Sequence, residues 1–125
     1  MEMDDSVNVL GEPLDVCGGK PVTGFFRDSK CNTCQEDVGV HTVCIVASRE
    51  FLDYSRRKGN DLSTPVPEYG FEGLKPGNTW CLCAARWLEA HQEGMAPKVY
   101  LTRTHQRTLE IVPFELLKQF AADLN

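Results

Sequence analysis

Residues 31–44 read C-N-T-C-Q-E-D-V-G-V-H-T-V-C and hold three of the six cysteines and one of the three histidines of the chain. The stretch runs from a turn-rich segment into the best strand candidate, Val40–Ala47, which is rich in β-branched residues. Such a run predicts a buried central strand. The rest of the fold is organised around it, and its cysteines and histidine are the first candidates for a chemical centre.

Helices and further strands are predicted on the C-terminal side of this strand. Ser48 suits the N-cap of a helix that stops at Gly59. A strand is expected at Thr79–Cys83, with a helix at about Ala84–Glu93 directly after it. The remaining expected elements are a third strand at Lys98–Thr102, a short fourth strand at Leu109–Val112 and a final helix with Pro113 at its first position.

Two long segments rich in turn-forming residues, 11–37 and 60–73, separate these elements and are predicted to be loops. The irregular alternation of strands and helices favours an α+β fold: one two-layer domain with a small, mostly antiparallel sheet packed with about three helices. Residues 1–6 are expected to be a disordered tail and residues 7–125 a single domain.

Composition and charge exclude several classes of protein. The 125-residue chain has a net charge of −5, so it offers no basic surface for a phosphate backbone, and nucleic acid is not an expected partner. The acidic N-terminus lacks the basic and apolar segments of a signal peptide. Since no apolar window approaches the length of a membrane span, a soluble, cytoplasmic protein without a membrane partner is predicted. A small-molecule or a protein partner both remain open.

The cysteines then suggest metal chemistry, because disulfides are disfavoured in a reducing compartment. Cys31-x-x-Cys34 has the spacing of a zinc knuckle, although free cysteine also packs as a small hydrophobe. Zinc binding is the first hypothesis, with Cys17 as a further member of the site. The predicted ligands are Cys31, His41, Cys44, Cys81 and Cys83.

Strand geometry restricts how these residues combine. Cys81 and Cys83 would share one face of their strand, at a spacing that is awkward for a mutual disulfide. His41 and Cys44 would face opposite sides of a regular strand. They act together only if the strand begins after His41 or carries a bulge.

A thiol-dependent enzyme or redox protein is the second hypothesis. Cys83 immediately precedes the predicted helix at Ala84, where backbone amides and the helix dipole favour a thiolate. Either Cys83 or Cys44 would be the nucleophile, with His41 as the base. The alternative is a cysteine that is merely buried beside the indole rings of the two tryptophans.

A recognition module without chemistry is the third hypothesis, and it uses the loop at residues 60–69. Asn60, Asp61, Ser63 and Thr64 beside two prolines suit a rigid binding loop, with Arg27 at its rim. The competing interpretation is that these polar residues only form a turn after Gly59. The other two histidines are assigned structural roles, with His91 in the core and His105 at a turn or cap.

Several long phrases of the sequence resemble a known family. The chain is similar to the domain of unknown function 2237 family, and the resemblance extends over nearly its whole length. It implies a compact α/β domain found mainly in bacteria and algae, with no assigned reaction. The family pattern carries over to all the cysteines except Cys34, where it has glycine, and to His41. The phrases are N-V-L-G-E-P-L (8–14), T-G-F-F-R-D (23–28), H-T-V-C (41–44), G-N-D-L-S-T-P (59–65), G-L-K-P-G (73–77), W-C-L-C-A-A-R-W-L-E-A (80–90) and E-I-V-P-F-E-L-L-K (110–118).

Overall fold

The computed structural model describes residues 2–123, and its centre is a three-stranded antiparallel sheet. The strands are β1 (His41–Val46), β2 (Thr79–Cys83) and β3 (Lys98–Val99), in the order β2-β1-β3. The four central residues of β1 are buried, as expected for a strand rich in β-branched residues between two partners. The predicted central strand and the antiparallel sheet are therefore confirmed.

Three α-helices accompany the sheet and confirm the α+β prediction. The Ser48 hydroxyl accepts a hydrogen bond from the N–H of Phe51 at 3.1 Å and so caps the first helix, which ends just before Gly59 with its φ of +90°. The second helix starts at the residue that follows β2, so Cys83 is its N-cap. The helices are α1 (Arg49–Arg57), α2 (Ala84–Gln92) and α3 (Phe114–Gln119).

The two faces of the sheet have different partners. Val43 and Ile45 on β1 and Leu82 on β2 belong to the apolar core that contains the inner faces of the helices. Cys44 and Cys81 point to the opposite face, since side chains alternate along a strand. There they meet the first long loop, residues 11–37, which is covalently attached to the sheet by two disulfides.

Of the two strands predicted in the C-terminal part of the chain, one is shorter than expected and the other is wrong. The predicted strand Lys98–Thr102 ends at Val99 and continues as a 3-10 turn over Leu101–Arg103. The carboxylate of Asp123 accepts hydrogen bonds from the N–H groups of Leu101 and Thr102 at 2.9 and 3.0 Å, so these donors cannot join a strand ladder.

The predicted fourth strand at Leu109–Val112 is replaced by a 3-10 helix, Gln106–Glu110, and a turn. His105 caps this helix because its Nδ1 accepts a hydrogen bond from the N–H of Arg107 at 3.0 Å. Pro113 is the N-cap of α3, one position earlier than predicted.

The two ends of the chain are only partly described. Of the predicted disordered tail, residue 1 lies outside the described residues, and the disorder of the tail stays a prediction. The N–H of Asp4 donates to the carbonyl of Thr33 at 2.8 Å. Residues 124 and 125 of the predicted domain also lie outside the described residues. Among residues 2–123, every helix is too short or too polar to cross a bilayer.

Candidate functional site

Four of the six cysteines form a buried cluster on the sheet face opposite the apolar core. Cys17 is bonded to Cys44, with 5.7 Å between their Cα atoms, and Cys31 is bonded to Cys81, at 5.3 Å. All four side chains are essentially inaccessible to solvent. Cys44 and Cys81 are directly opposite each other on β1 and β2, so the two disulfides lie side by side.

The residues that were predicted to bind zinc lie in two separate groups. The sulfurs of Cys17, Cys31 and Cys81 all lie within 4.8 Å of one another, a spacing that three thiolate ligands of one ion can adopt. A disulfide sulfur is not a thiolate, so the cluster fits zinc only after reduction. His41 and Cys83, the other predicted ligands, meet each other at the end of the strand pair instead. The predicted zinc site stays a prediction.

Cys83 and His41 come together because the ladder between β1 and β2 is irregular at its end. They are Cα partners in the ladder, and a bulge separates His41 from the regular register that begins at Val43. A bulge was one of the two conditions under which His41 was expected to act together with Cys44. In the structure His41 lies opposite Cys83 instead, while Cys44 lies opposite Cys81 and is bonded to Cys17.

Asp37 completes the group and was not predicted from the sequence. Its carboxylate is fully buried, and its Oδ1 lies 2.7 Å from Nδ1 of His41. Oδ2 accepts from the backbone N–H of His41 and from the hydroxyl of Thr33, each at 3.0 Å. A buried carboxylate with three donors is fixed in place, so it orients the imidazole and directs Nε2 away from itself. The signal in the sequence was an acid four residues before a histidine, D-V-G-V-H, within one turn.

Arg107 helps to fix the carboxylate of Asp37 through an intermediate residue, Thr33. Arg107 donates to the hydroxyl of Thr33 at 2.9 Å and to the carbonyl of Cys34 at 2.6 Å. Thr33 in turn donates to Asp37. The 3-10 helix that carries Arg107 therefore fixes the loop from which Asp37 projects.

The electrostatics of the group favour a charged imidazole. The hydrogen bond with Cys83 is the largest cause that raises the pKa of His41, and the hydrogen bond with Asp37 adds to it. Burial acts in the opposite direction, yet the pKa rises from 6.5 to about 9. His41 is therefore an imidazolium at neutral pH. The charged ring of His41 lies beside the side chain of Cys83.

The close approach of the two side chains requires glycine at position 39. A Cβ atom there would lie 3.1 Å from Nε2 of His41 and 3.2 Å from Sγ of Cys83. It would lie only 2.6 Å from Cε1 of the same ring, which Asp37 prevents from moving away. Gly39 thus leaves room for the contact.

A pocket of about 280 Å³ opens in front of Cys83 and His41. Phe25 and Trp80 provide aromatic walls, and Arg27 and Asn60 provide polar groups. Cys83 is half-buried and lines this pocket. A cleft that combines an accessible thiol, an oriented histidine and a few convergent polar groups has the composition of an active site.

The other predicted binding residues lie partly at this pocket. Arg27 and Asn60 line it. Asp61 turns the chain, since its carboxylate accepts from the N–H groups of Ser63 and Thr64 at 2.9 and 3.1 Å. This is the turn that sequence reasoning weighed against a recognition loop at 60–69, and recognition by that loop stays a prediction.

The remaining histidines and Cys34 have structural surroundings. His91 stacks on Trp87 with 5.5 Å between ring centroids. Burial lowers the pKa of His105, and its Nε2 contacts the carbonyl of Asp5 at 2.8 Å, so it is a neutral capping residue. Cys34 is buried and belongs to neither disulfide. Because Cys31 is bonded to Cys81, the Cys31-x-x-Cys34 pair could act as a zinc knuckle only after reduction, and the knuckle stays a prediction.

Comparison with known proteins adds a family but no activity. No curated protein matches the chain. A family model described as "Uncharacterized protein conserved in bacteria (DUF2237)" matches residues 7–121, which include every residue of the Cys83–His41–Asp37 group and both disulfides. The sequence resemblance is thereby confirmed: the chain belongs to the DUF2237 family.

Proposed function

We propose that the protein is a thiol-dependent enzyme that transfers or hydrolyses acyl groups, with Cys83 as the nucleophile. The observation that carries the proposal is the connected series Asp37, His41, Cys83 at the wall of a pocket. A nucleophile, a base and a residue that orients the base are the three parts of covalent acyl transfer. Cys44, the other predicted nucleophile, is excluded from this role as long as its disulfide is intact.

The reaction follows from the charges of the pair. The Cys83 thiolate forms a bond to the carbonyl carbon of the substrate, and the π electrons move to the oxygen. Collapse of this adduct expels the leaving group, which takes the proton of the His41 imidazolium. Water then gives a proton to neutral His41 and attacks the thioester, so that the acid is released and the thiolate is restored.

Donors for the carbonyl oxygen are available at the start of α2. The N–H of Ala84 donates to the carbonyl of Val40 at 3.0 Å. The N–H groups of the next two residues, Ala85 and Arg86, have no acceptor within the helix because they lie in its first turn. They are our candidates for stabilising the oxyanion, together with the amide of Asn60 at the pocket wall.

Alkylation of the native protein tests the proposal without a known substrate. Iodoacetamide at neutral pH should modify Cys83 first, and mass spectrometry of the digested protein identifies the site. His41→Ala and Asp37→Asn should each slow this reaction about tenfold or more, because the thiolate loses its counter-ion or the imidazole its orientation. His91→Gln is the matched control, since His91 contacts the indole of Trp87 and not the thiol.

A second assay measures acyl transfer directly. p-Nitrophenyl acetate should give a burst of about one p-nitrophenol per chain, with the acetyl group on Cys83. If Cys83 reacts no faster than glutathione, or if His41→Ala leaves its rate unchanged, the proposal is wrong. Exchange of Cys83 with the Cys31–Cys81 bond instead of acylation would favour the redox alternative.

Zinc binding is the second candidate, and the cysteine cluster supports it for the reduced protein. Reduction would convert Cys17, Cys31, Cys44 and Cys81 into four neighbouring buried thiols. The sulfurs of Cys17, Cys31 and Cys81 already have a spacing that zinc ligands can adopt. Metal analysis and a thiol count of protein purified without added metal test this. One zinc per chain and six thiols would favour a zinc site, whereas two thiols and no zinc would favour the disulfides. A cytoplasmic location also stays a prediction, and intact disulfides are more typical of an oxidising compartment.

A further inference from the structure

A second, larger groove lies next to the pocket that holds Cys83. It has a volume of about 690 Å³, and Arg27, Leu62 and Trp80 line both cavities, so the two are neighbours. A molecule whose reacting carbonyl lies at Cys83 and whose remainder reaches past these shared side chains would enter the groove. The combined size suits a small organic ligand rather than a water molecule or an ion.

The walls of the groove are mainly apolar and unusually exposed. Tyr69 has 86% of its surface exposed and Val22 has 51%, and Phe71 packs on Trp80 with 5.4 Å between ring centroids. Pro21 and Val66 extend the same wall. Apolar side chains at a groove next to the pocket of Cys83 are suited to the apolar body of a ligand.

The junction between pocket and groove carries positive charge, in contrast to the acidic chain as a whole. Lys20 and Arg27 line the groove, against a single acid, Glu72. The Arg27 guanidinium lies 5.6 Å from the centroid of Trp80 and donates to the carbonyl of Gly24 at 3.0 Å. A guanidinium has five N–H donors in a planar fork, which leaves it able to bind a carboxylate in a bidentate manner.

We propose that the substrate is an apolar acyl compound that carries a carboxylate close to its reacting carbonyl. The carboxylate binds Arg27, the carbonyl lies at Cys83, and the apolar remainder occupies the groove beside Tyr69 and Val22. This inference rests on the proposed acyl-transfer function and specifies its substrate class. Arg27 is thus a residue that determines specificity.

Four alkylating reagents separate the effect of a carboxylate on the reaction rate from the effect of a longer alkyl chain. They are bromoacetate, bromoacetamide, 2-bromohexanoate and 2-bromohexanamide. In both acids the electrophilic carbon is next to the carboxylate, as in the proposed substrate. Rates at Cys83 are divided by the rates with glutathione, which removes intrinsic reactivity. We expect each acid to react about tenfold faster than its amide, and 2-bromohexanoate to exceed bromoacetate, as expected for one charge-assisted contact and a buried alkyl chain.

Variants at exposed positions then show which residues cause the preference for a carboxylate and which cause the preference for a longer alkyl chain. Arg27→Gln should abolish the preference for the acids, whereas Arg27→Lys should retain part of it and salt should weaken it. Tyr69→Ser combined with Val22→Ser should abolish the preference for the longer chain only. All three side chains are exposed, so the variants should melt at the wild-type temperature, which a thermal scan checks.

The outcomes distinguish this inference from the function on which it rests. If Cys83 is alkylated selectively but shows the same normalised rates for all four reagents, the substrate class is wrong and the thiol enzyme stands. A preference for acids that survives Arg27→Gln also overturns the assignment. If none of the reagents modifies Cys83 faster than glutathione, the proposed function itself fails.

Discussion

Raising the pH through the titration of His41 is predicted to destabilise the protein. The pKa of His41 is about 9 in the folded chain, against an ordinary value of 6.5. Because the folded state holds the proton more tightly, the stabilisation is complete below pH 6.5 and is lost as the pH rises through about 9. The difference in pKa corresponds to about 3.4 kcal/mol. Since 38% of the side chain is exposed, screening reduces the expected contribution to about 1–2 kcal/mol.

Urea unfolding at about pH 6 and about pH 9.5, with the disulfides intact, measures this contribution. The comparison protein is His41→Gln, which does not titrate and keeps an N–H donor towards Asp37. The free energy of unfolding of the wild type minus that of the variant should fall by about 1–2 kcal/mol between the two pH values. An unchanged difference would refute the assigned charge state of His41.

A third protein, Cys83→Ala, identifies the cause of the shift. The hydrogen bond with Cys83 is the largest cause that raises the pKa of His41, so its removal should lower that pKa. The pH range over which the free energy of unfolding falls should then be narrower. NMR titration of the ring protons reads the pKa directly in both proteins. If the two titrations coincide, Cys83 and His41 do not interact as described.

Three further predictions concern the surroundings of the site. Gly39→Ala should slow iodoacetamide modification of Cys83, because its Cβ overlaps the space of the His41 ring and the Cys83 sulfur and so disrupts their contact. Gly19→Ala, whose Cβ meets no atom within 4 Å, should not slow it. Thr33→Val should lower the free energy of unfolding in urea by about 1–3 kcal/mol, because Asp37 loses a buried donor; no loss would contradict the hydrogen bond. Reduction of the disulfide that closes 27 residues or of the one that closes 50 should each cost about 3–4 kcal/mol. A melting temperature unaffected by reductant would contradict both bonds.

The elements that sequence reasoning predicted well are those defined by neighbouring residues. The β-branched run that became β1, the Ser48 cap and the turn into Thr79–Cys83 each depend on local sterics and hydrogen bonds. The strand predicted at Lys98–Thr102 stops at Val99 because the Asp123 carboxylate accepts hydrogen bonds from the N–H groups of Leu101 and Thr102. A contact with a residue more than twenty positions away cannot be predicted from the sequence pattern of the strand itself.

The site was predicted in part for the same reason. Cys83 and His41 were named because residue type and a helix start indicate reactivity. Asp37 was missed because its role depends on the turn that brings it to Nδ1 of His41, and Arg107 because it acts through Thr33. The disulfides were not expected because a reducing compartment was assumed. Sequence alone specified neither which thiols pair nor which one remains accessible.

The Cys31–Cys81 disulfide helps to position the proposed catalytic group of Asp37, His41 and Cys83. The loop that presents Thr33 and Asp37 has two fixed ends, since Cys31 is bonded to Cys81 on β2 and His41 begins β1. Cys81 lies two residues before Cys83, so the same bond also anchors the segment that carries the nucleophile. A loop without helix or strand ordinarily samples many conformations, and a carboxylate on it would orient an imidazole only part of the time. Covalent attachment at Cys31 removes that freedom, which explains how a mainly irregular segment can hold Asp37 within 2.7 Å of His41.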